Sequence, residues 1–304
     1  MKLSIIIVSY NSKDYTRECI ESIREFGKGI EYEIIVVDNA SGDGSCEYLS
    51  NLSKQNSNIV LVKKRENVGF AKANNIGIHK AKGKYLLFLN SDTVVGKGVL
   101  YGMIKLMEEK PEVGIATCAL KNKDGSLQGT GGYFPTLIRV FSWMTIQDLP
   151  LVDTVIKPFH PMKDKMGKSG RGFYQKEREL DWVTGAFMVV KRELIEAGLR
   201  WDESYFMYTE DVDFCFRAKK LGWKIMYTPK WSVLHFGGAS GTREKTILGE
   251  FRGIKKFYRK HFPKWQMVPL RMILKAGALA RMLVFGIIEG RESFEIYAKA
   301  FIEA

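Results

Sequence analysis

The chain has 304 residues, 45% of them apolar and 27% charged, enough to bury a substantial core in one large or two modest domains. That excludes a disulfide miniprotein and a disordered tail. Forty-seven Lys and Arg against 34 Asp and Glu leave a formal charge of +13, which admits nucleic acid, acidic lipid or phosphorylated small molecules without choosing among them.

The apolar run at residues 3–8 stops at Ser9-Tyr10-Asn11 without a small-residue cleavage site, so it reads as a buried strand and not as a signal peptide. Short β-branched runs follow at 33–37, 59–63, 85–89 and 113–118, alternating with helical stretches at 13–26, 45–55, 70–81 and 97–110. This alternation predicts an α/β fold with a mostly parallel sheet, and the nearly continuous apolar character of the strands predicts that both sheet faces are covered. Periodicity weakens between 119 and 180, and residues 158–178, rich in Gly, Lys and Arg, read as a mobile loop that orders over a ligand. A strand-like run at 181–190, helices at 191–197 and 211–221 and a strand at 224–227 complete a body ending near 241.

The tail is different in composition: residues 252–281 hold nine Lys or Arg and no Asp or Glu, interleaved with Phe257, Trp265, Met272 and other apolar side chains. It reads as a basic amphipathic helical extension over 242–304 that packs on the body, docks on an anionic membrane or makes a homodimer. No run of about 18 uncharged apolar residues is present, so the chain is expected to be soluble or peripheral. The scattered Cys19, Cys46, Cys118 and Cys215 form no C-x-x-C pair and read as reduced thiols of a cytoplasmic protein.

Ligands of an open parallel sheet gather at the carboxyl ends of its strands. Polar clusters stand there: Ser9-Tyr10-Asn11, the segment from Asp38 through Gly44, and Asn90-Ser91-Asp92-Thr93. Asn11, Asp43 and Thr93 are read as caps and turns. Asp38 and Asp92 end apolar strands, where a carboxylate is costly without a ligand, a metal or a partner. No G-x-G-x-x-G turn or phosphate loop occurs, so a divalent cation on Asp92 is the alternative means of neutralising phosphates, with His235 a candidate second ligand that reads equally as a satisfied core histidine. In Tyr208-Thr209-Glu210-Asp211-Val212-Asp213, Thr209 can cap a helix whose dipole accounts for one or two of the acids without function, whereas three carboxylates in its first turn repel, which raises at least one pKa and suits a general base.

The segments SIIIVSYN (4–11), VVDNAS (36–41), NVGFAKANNIG (67–77), LFLNSDT (87–93), WVTGAFMVVKR (182–192) and YTEDVDFCFR (208–217) resemble, in order and spacing, the motifs of inverting glycosyltransferases of family 2, which have the GT-A fold. The resemblance covers about residues 3–241, with a nucleotide-binding half to about 118 and an acceptor half beyond it, and is nearest to bacterial rhamnosyltransferases of surface polysaccharide synthesis. It implies a nucleotide-diphosphate sugar donor, dTDP-L-rhamnose, and a saccharide or polyprenyl-linked acceptor. By it, Ser9, Tyr10, Asn11, Asp38, Asn67, Gly69, Phe70, Asn74, Asn90, Ser91 and Asp92 line the donor cleft. Asp92, matching the last acid of a D-x-D motif whose first Asp is here Asn90, holds Mg²⁺ or Mn²⁺ together with His235. Asp211 is the implied base, and Trp182, Thr184, Gly185 and Glu210 lie at the acceptor side. Trp182 is equally read as a core residue. A UDP-sugar donor is the alternative within the same chemistry; a nucleic-acid binder, suggested by charge alone, lacks a binding motif.

Overall fold

The computed structural model describes all residues except 148, 150–151, 162–169 and 238–241. Eleven strands and twelve α-helices run through the described residues in the order β1 (Leu3–Ser9), α1 (Lys13–Phe26), β2 (Tyr32–Asp38), α2 (Ser45–Gln55), β3 (Ile59–Lys63), α3 (Phe70–Lys80), β4 (Tyr85–Asn90), β5 (Thr93–Val94) and α4 (Val99–Glu109). There follow β6 (Val113–Lys121), β7 (Gly131–Gly132), α5 (Leu137–Thr145), α6 (Val152–Val155), α7 (Gly170–Phe173), β8 (Arg178–Leu180), β9 (Trp182–Val183), β10 (Phe187–Lys191), α8 (Arg192–Glu196), α9 (Glu210–Lys220) and β11 (Lys224–His235). The chain closes with α10 (Arg243–His261), α11 (Met267–Glu289) and α12 (Arg291–Glu303).

The main sheet has the order β3-β2-β1-β4-β10-β6-β11-β5, with β8 also paired to β11. Strands β1 to β4 are mutually parallel, β10 runs against both its neighbours, and β6 and β11 are parallel, so the expected α/β class with a mostly parallel sheet holds. Ile5, Ile7, Val36 and Leu87 pack into one apolar layer and Ile6, Ile35, Leu86 and Phe88 into the other. Both faces are therefore covered, which is why the strands lack a polar alternation.

Two strands depart from expectation. The run at 181–190 is broken by the turn Thr184-Gly185-Ala186, so that β9 pairs with β7 in a small second sheet while β10 enters the main one. The last strand runs on to His235 instead of ending at Tyr227. Pro229 sits in a register shift between Thr228 and Ser232, and a strand interrupted by such a bulge loses its apolar periodicity in the sequence.

Helix α10 shares the core of the body: Phe251, Ile254, Phe257 and Tyr258 are buried in the same apolar cluster as Phe88, Val190 and Trp201. Helix α11 lies on α5, where Gly277 receives Met144. The expected lid falls partly on residues 162–169, outside the described residues. On either side of them, Phe159 packs on Trp182, and Tyr174 is buried with its hydroxyl against Gly131.

Candidate functional site

Parallel register brings the first polar clusters together without further design. Ser9 stands opposite Asp38 and Val8 opposite Asn90, so the carboxyl ends of β1, β2 and β4 form one edge. A buried hydroxyl network, Ser9 to Thr16 at 2.9 Å and Ser12 to Ser91 at 3.1 Å, ties the turn after β1 to the turn after β4. The exposed loops are laced in the same way. Asn11 Oδ1 accepts the Gly42 N–H at 2.8 Å, a bond between two loops and not a cap, while Asp43 accepts from Lys13 N and Ser45 N, the first residues of α1 and α2, in the cap-like role expected of it. Tyr10 beside them is exposed.

Asp38 is 2% exposed, and its Oδ1 has no hydrogen-bond partner among the described residues, while Oδ2 meets only Ser41 N at 3.4 Å. An unsatisfied carboxylate oxygen at a strand end is costly unless a ligand donates to it. Beside it, Asn39 and Asn67 interlock: the Asn39 amide donates to Asn67 Oδ1 at 2.8 Å, and Asn39 Oδ1 accepts the Val68 N–H. Asn67 also accepts the N–H of Gly69, where φ is +81° and any Cβ would stand 2.8 Å from the Phe206 carbonyl. Phe70 follows, its N–H donating to that same carbonyl. The buried Asn74 turns back to the Phe70 carbonyl, whereas its neighbour Asn75 holds Trp201 through both backbone groups.

The second constellation depends on the unexpected length of β11. Antiparallel pairing sets His235 opposite Thr93, and Phe236 N–H donates to the Asp92 carbonyl at 2.9 Å. His235 Nε2 then lies 3.3 Å from Asp92 Oδ1 and 3.2 Å from the Asn90 amide nitrogen. The tautomer is fixed by Gln128. Its amide nitrogen donates to Asn122 Oδ1 and to the His235 carbonyl, so its Oε1, 2.7 Å from His235 Nδ1, can only accept. Nδ1 therefore carries a proton, and in the neutral ring Nε2 is the acceptor nitrogen, facing a carboxylate oxygen and the Asn90 amide. Two acceptors facing each other in this way fit a divalent cation between them, with the Nδ1–H···O bond typical of a ligating histidine. Among the described residues no cluster of three or more His, Cys, Asp or Glu side chains could hold a metal, so a bound cation would need oxygen ligands from elsewhere, such as a diphosphate.

The third constellation is built on strain. Tyr208 and Thr209 have φ of +71° and +70°, in the left-handed region that a tyrosine and a β-branched threonine avoid. Thr209 occupies the N-cap position of α9 but makes no side-chain cap bond, which corrects its expected capping role. The reason lies in α10. A Cβ at Gly253 would stand 2.1 Å from Thr209 Oγ1, one at Gly249 would stand 2.2 Å from the Tyr208 ring, and the Tyr208 hydroxyl meets Thr246 at 3.0 Å. Two glycines spaced one turn apart thus receive the knuckle and hold it.

The knuckle delivers three carboxylates to different surroundings. Asp213 is fully buried between Arg217 at 2.7 Å and His261 Nε2 at 2.6 Å, so it is spent on structure. Glu210 is 6% exposed with Oε2 unpartnered among the described residues; burial, then the neighbouring Asp211 charge, pushes its carboxyl up to about 8. Burial pushes Asp211 up to about 6, opposed by the N–H groups of Val212 and Gly185, and the charge of Glu250 on α10 adds to the rise. Both carboxyls are thus held above the usual carboxylate range, by burial and, for Glu210, by the adjoining Asp211 charge, which favours one shared proton on the pair. Gly185 is held close, a Cβ there standing 3.1 Å from Phe70, and Thr184 Oγ1 accepts the Ala186 N–H at 3.3 Å to shape the same turn. Trp182 is 6% exposed, packed on Phe159 and His160 and donating to the Phe159 carbonyl at 3.2 Å.

Asn39, Gln128, Glu250 and the glycines of α10 were not anticipated. Asn39 lay inside a cluster already singled out; the others lie far in sequence from what they support.

The family model described as "Glycosyl transferase family 2" matches residues 4–196. Rhamnosyltransferase WbbL of Escherichia coli is 26% identical over 242 residues, covering 76% of this chain and 82% of its own. The N-acetylglucosaminyl-diphospho-decaprenol L-rhamnosyltransferase of Mycobacterium tuberculosis (strain H37Rv) is 24% identical, covering 91% and 90%. Poly-beta-1,6-N-acetyl-D-glucosamine synthase of Staphylococcus aureus (strain MSSA476) is 24% identical, covering 75% of this chain and 48% of its own. Among solved structures, GalNAc-T7 with UDP, GalNAc and Mn²⁺ superposes with a TM-score of 0.59 at 17% identity, covering 84% of this chain and 48% of that one. The mannosyltransferase PcManGT of Pyrobaculum calidifontis, in complex with GDP-Man and Mn²⁺, gives 0.56 at 15% identity, covering 99% and 85%. The shared architecture is the GT-A fold.

Proposed function

Because the chain belongs to glycosyltransferase family 2, we propose that it transfers L-rhamnose from dTDP-L-rhamnose, with inversion, to a hydroxyl of a saccharide or polyprenyl-linked saccharide acceptor. Two rhamnosyltransferases among its relatives, one of them acting on a diphospho-decaprenol saccharide, support the sugar and the acceptor class. The observation that carries the reaction type is the pairing of Asp92 with His235 Nε2 at the strand edge, together with the left-handed turn at Tyr208 and Thr209 that sets Asp211 against the Gly185 turn, in one GT-A framework.

In this reading the orphaned Asp38 Oδ1 takes a hydrogen bond from the base or ribose of the nucleotide. Ser9, Tyr10, Asn11, Asn67, Gly69, Phe70, Asn74, Asn90 and Ser91 form or stiffen the walls of that cleft. Asp92 and His235 would hold Mg²⁺ or Mn²⁺, which when bound supplies positive charge to the diphosphate. Asp211 takes the proton of the acceptor hydroxyl as its oxygen attacks the anomeric carbon. The bond from that carbon to the diphosphate oxygen breaks with its electron pair, and the nucleoside diphosphate departs. Burial and the adjoining Asp211 charge favour the protonated form of Glu210, so one negative charge serves the pair. The Thr184-Gly185 turn donates to Asp211, and Trp182 backs the acceptor side as a buried wall.

A UDP-sugar donor is the second reading, favoured by the likeness to the poly-N-acetylglucosamine synthase. Calorimetric titration with dTDP-L-rhamnose and with UDP-glucose, UDP-galactose and UDP-GlcNAc, each with and without Mn²⁺, separates the two. Metal-dependent binding of dTDP-L-rhamnose alone is expected; binding of a UDP-sugar alone transfers the assignment to it.

A further inference from the structure

Helix α11 is apolar on two sides. Its inner side, Leu270, Leu274, Gly277 and Ala278, is buried against α5 and the body. Its outer side carries Val268, Met272, Leu279, Leu283 and Ile287, all exposed and spaced by four or seven residues, so they form one stripe of about 28 Å along the helix. Trp265, 66% exposed in the short 3-10 turn before α11, heads that stripe, and Ile287, 86% exposed, ends it. Side chains of this size so fully in water along a whole helix mark an interaction surface.

The charges around the stripe identify what covers it. Lys264, Arg271 and Lys275 are exposed beside it, and residues 252–281 contain no acid at all. Of the four acids that follow, Glu289 pairs with Arg243, Glu295 with Arg291 and Glu303 with Arg252, and Glu292 stands exposed in the first turn of α12. A second copy of the chain docked stripe to stripe would bring two such cationic rims together, and like charges oppose that interface. An anionic lipid surface offers apolar depth to the stripe and negative headgroups to the rim. Among the described residues no helix is long and apolar enough to cross a membrane, so the fit is to a helix lying along the surface.

From this geometry we infer that the outer face of α11, headed by Trp265, docks the protein on anionic membrane. The surface does not depend on which sugar is transferred. It does bear on access to the site: α11 reaches Trp143 of α5 through Arg281, and Trp143 packs on Phe159 and His160, which cover Trp182. The docked helix is therefore two layers of side chains from the acceptor side.

The test is co-sedimentation of the full chain with vesicles, in the absence of any donor or acceptor. Vesicles of phosphatidylcholine with phosphatidylglycerol are expected to retain the protein, and pure phosphatidylcholine or high salt to release most of it. The triple variant Met272→Glu, Leu279→Glu, Leu283→Glu changes only exposed positions. It should lower the bound-to-free ratio on anionic vesicles by roughly tenfold or more, while its far-ultraviolet circular dichroism and donor titration match the parent. Lys264→Glu with Lys275→Glu should weaken anionic binding without changing the weak retention on phosphatidylcholine. Three results overturn the inference: no retention of the parent on anionic vesicles, equal retention of the triple variant, or a dimer in light scattering that the triple variant dissociates. Failure of the parent to bind any nucleotide-sugar in the donor titration, with vesicle binding intact, would instead count against the function proposed above.

Discussion

Ser9, Asp38 and Asn90 stand at the ends of adjacent parallel strands, where backbone register alone sets their spacing. Asp211 stands after two left-handed residues that no local preference supports, held by a helix some forty positions further on. The first region is built from the regular repeat of the fold, so its polar groups can be changed one at a time with the frame intact. The second is strained: non-glycine residues at positive φ persist only where packing over-determines them. Substitutions should therefore behave differently in the two regions, local in one and transmitted in the other.

The largest expected effect removes the group that the knuckle delivers. Asp211→Asn should lower kcat by on the order of a thousandfold or more, with the donor titration nearly unchanged; turnover within a few-fold of the parent takes Asp211 out of the base role. Next comes the cation site, where the comparison is between a ligand and its support. Gln128→Leu removes both the acceptor on His235 Nδ1 and the amide donor to the His235 carbonyl, and the expected cost is roughly tenfold to a hundredfold in Mn²⁺ affinity. Calorimetry that finds metal binding unaltered would mean that Nε2 of His235 is not a ligand.

The same contrast explains how much could be read in advance. Strand ends announced themselves because apolar runs such as 85–89 stop abruptly at polar residues, and a parallel sheet gathers those ends by rule. His235 was legible only as a residue beside glycines. Its partner Gln128 and the strand that carries it past Pro229 were not, because a bulge erases the period-two signal. Thr209 was misread as a cap for a related reason: helix-start preferences are local, while its left-handed φ is imposed by Gly249 and Gly253. Those glycines, spaced by four in a helix, carry no mark in sequence that distinguishes them from any small-residue contact. Asp213 shared its neighbours' acidity in the sequence, and only tertiary pairing with His261 separates it from Asp211.

Breaking the knuckle's support gives an intermediate effect. Gly253→Ala puts a methyl where Thr209 Oγ1 lies, so the knuckle must move by a few tenths of an ångström or more. Displacements of that kind cost about tenfold to a hundredfold when they misplace a catalytic group. The expected signature is a fall in kcat with the donor KM and the Mn²⁺ dependence unchanged, since those belong to the other region. A parallel loss in both would show that α10 stabilises the whole body and not the knuckle in particular.

The smallest effect sharpens the comparison by electrostatics alone. Asp211 is raised to about 6, so the rate of transfer should fall as pH drops through about 6 and the base takes up its proton. Glu250 contributes to that rise from α10, because a nearby negative charge disfavours ionisation of Asp211. Glu250→Gln removes the charge and keeps the shape, so the acid limb should move to lower pH, by less than about one unit. The sign is the discriminating part. A limb that stays where it was would mean that the helix holds Asp211 by packing only, whereas a limb displaced upward would assign the titration to another group. Burial sets most of the rise at Asp211; the N–H groups of Val212 and Gly185 oppose it, and the Glu250 carboxylate of α10 adds to it.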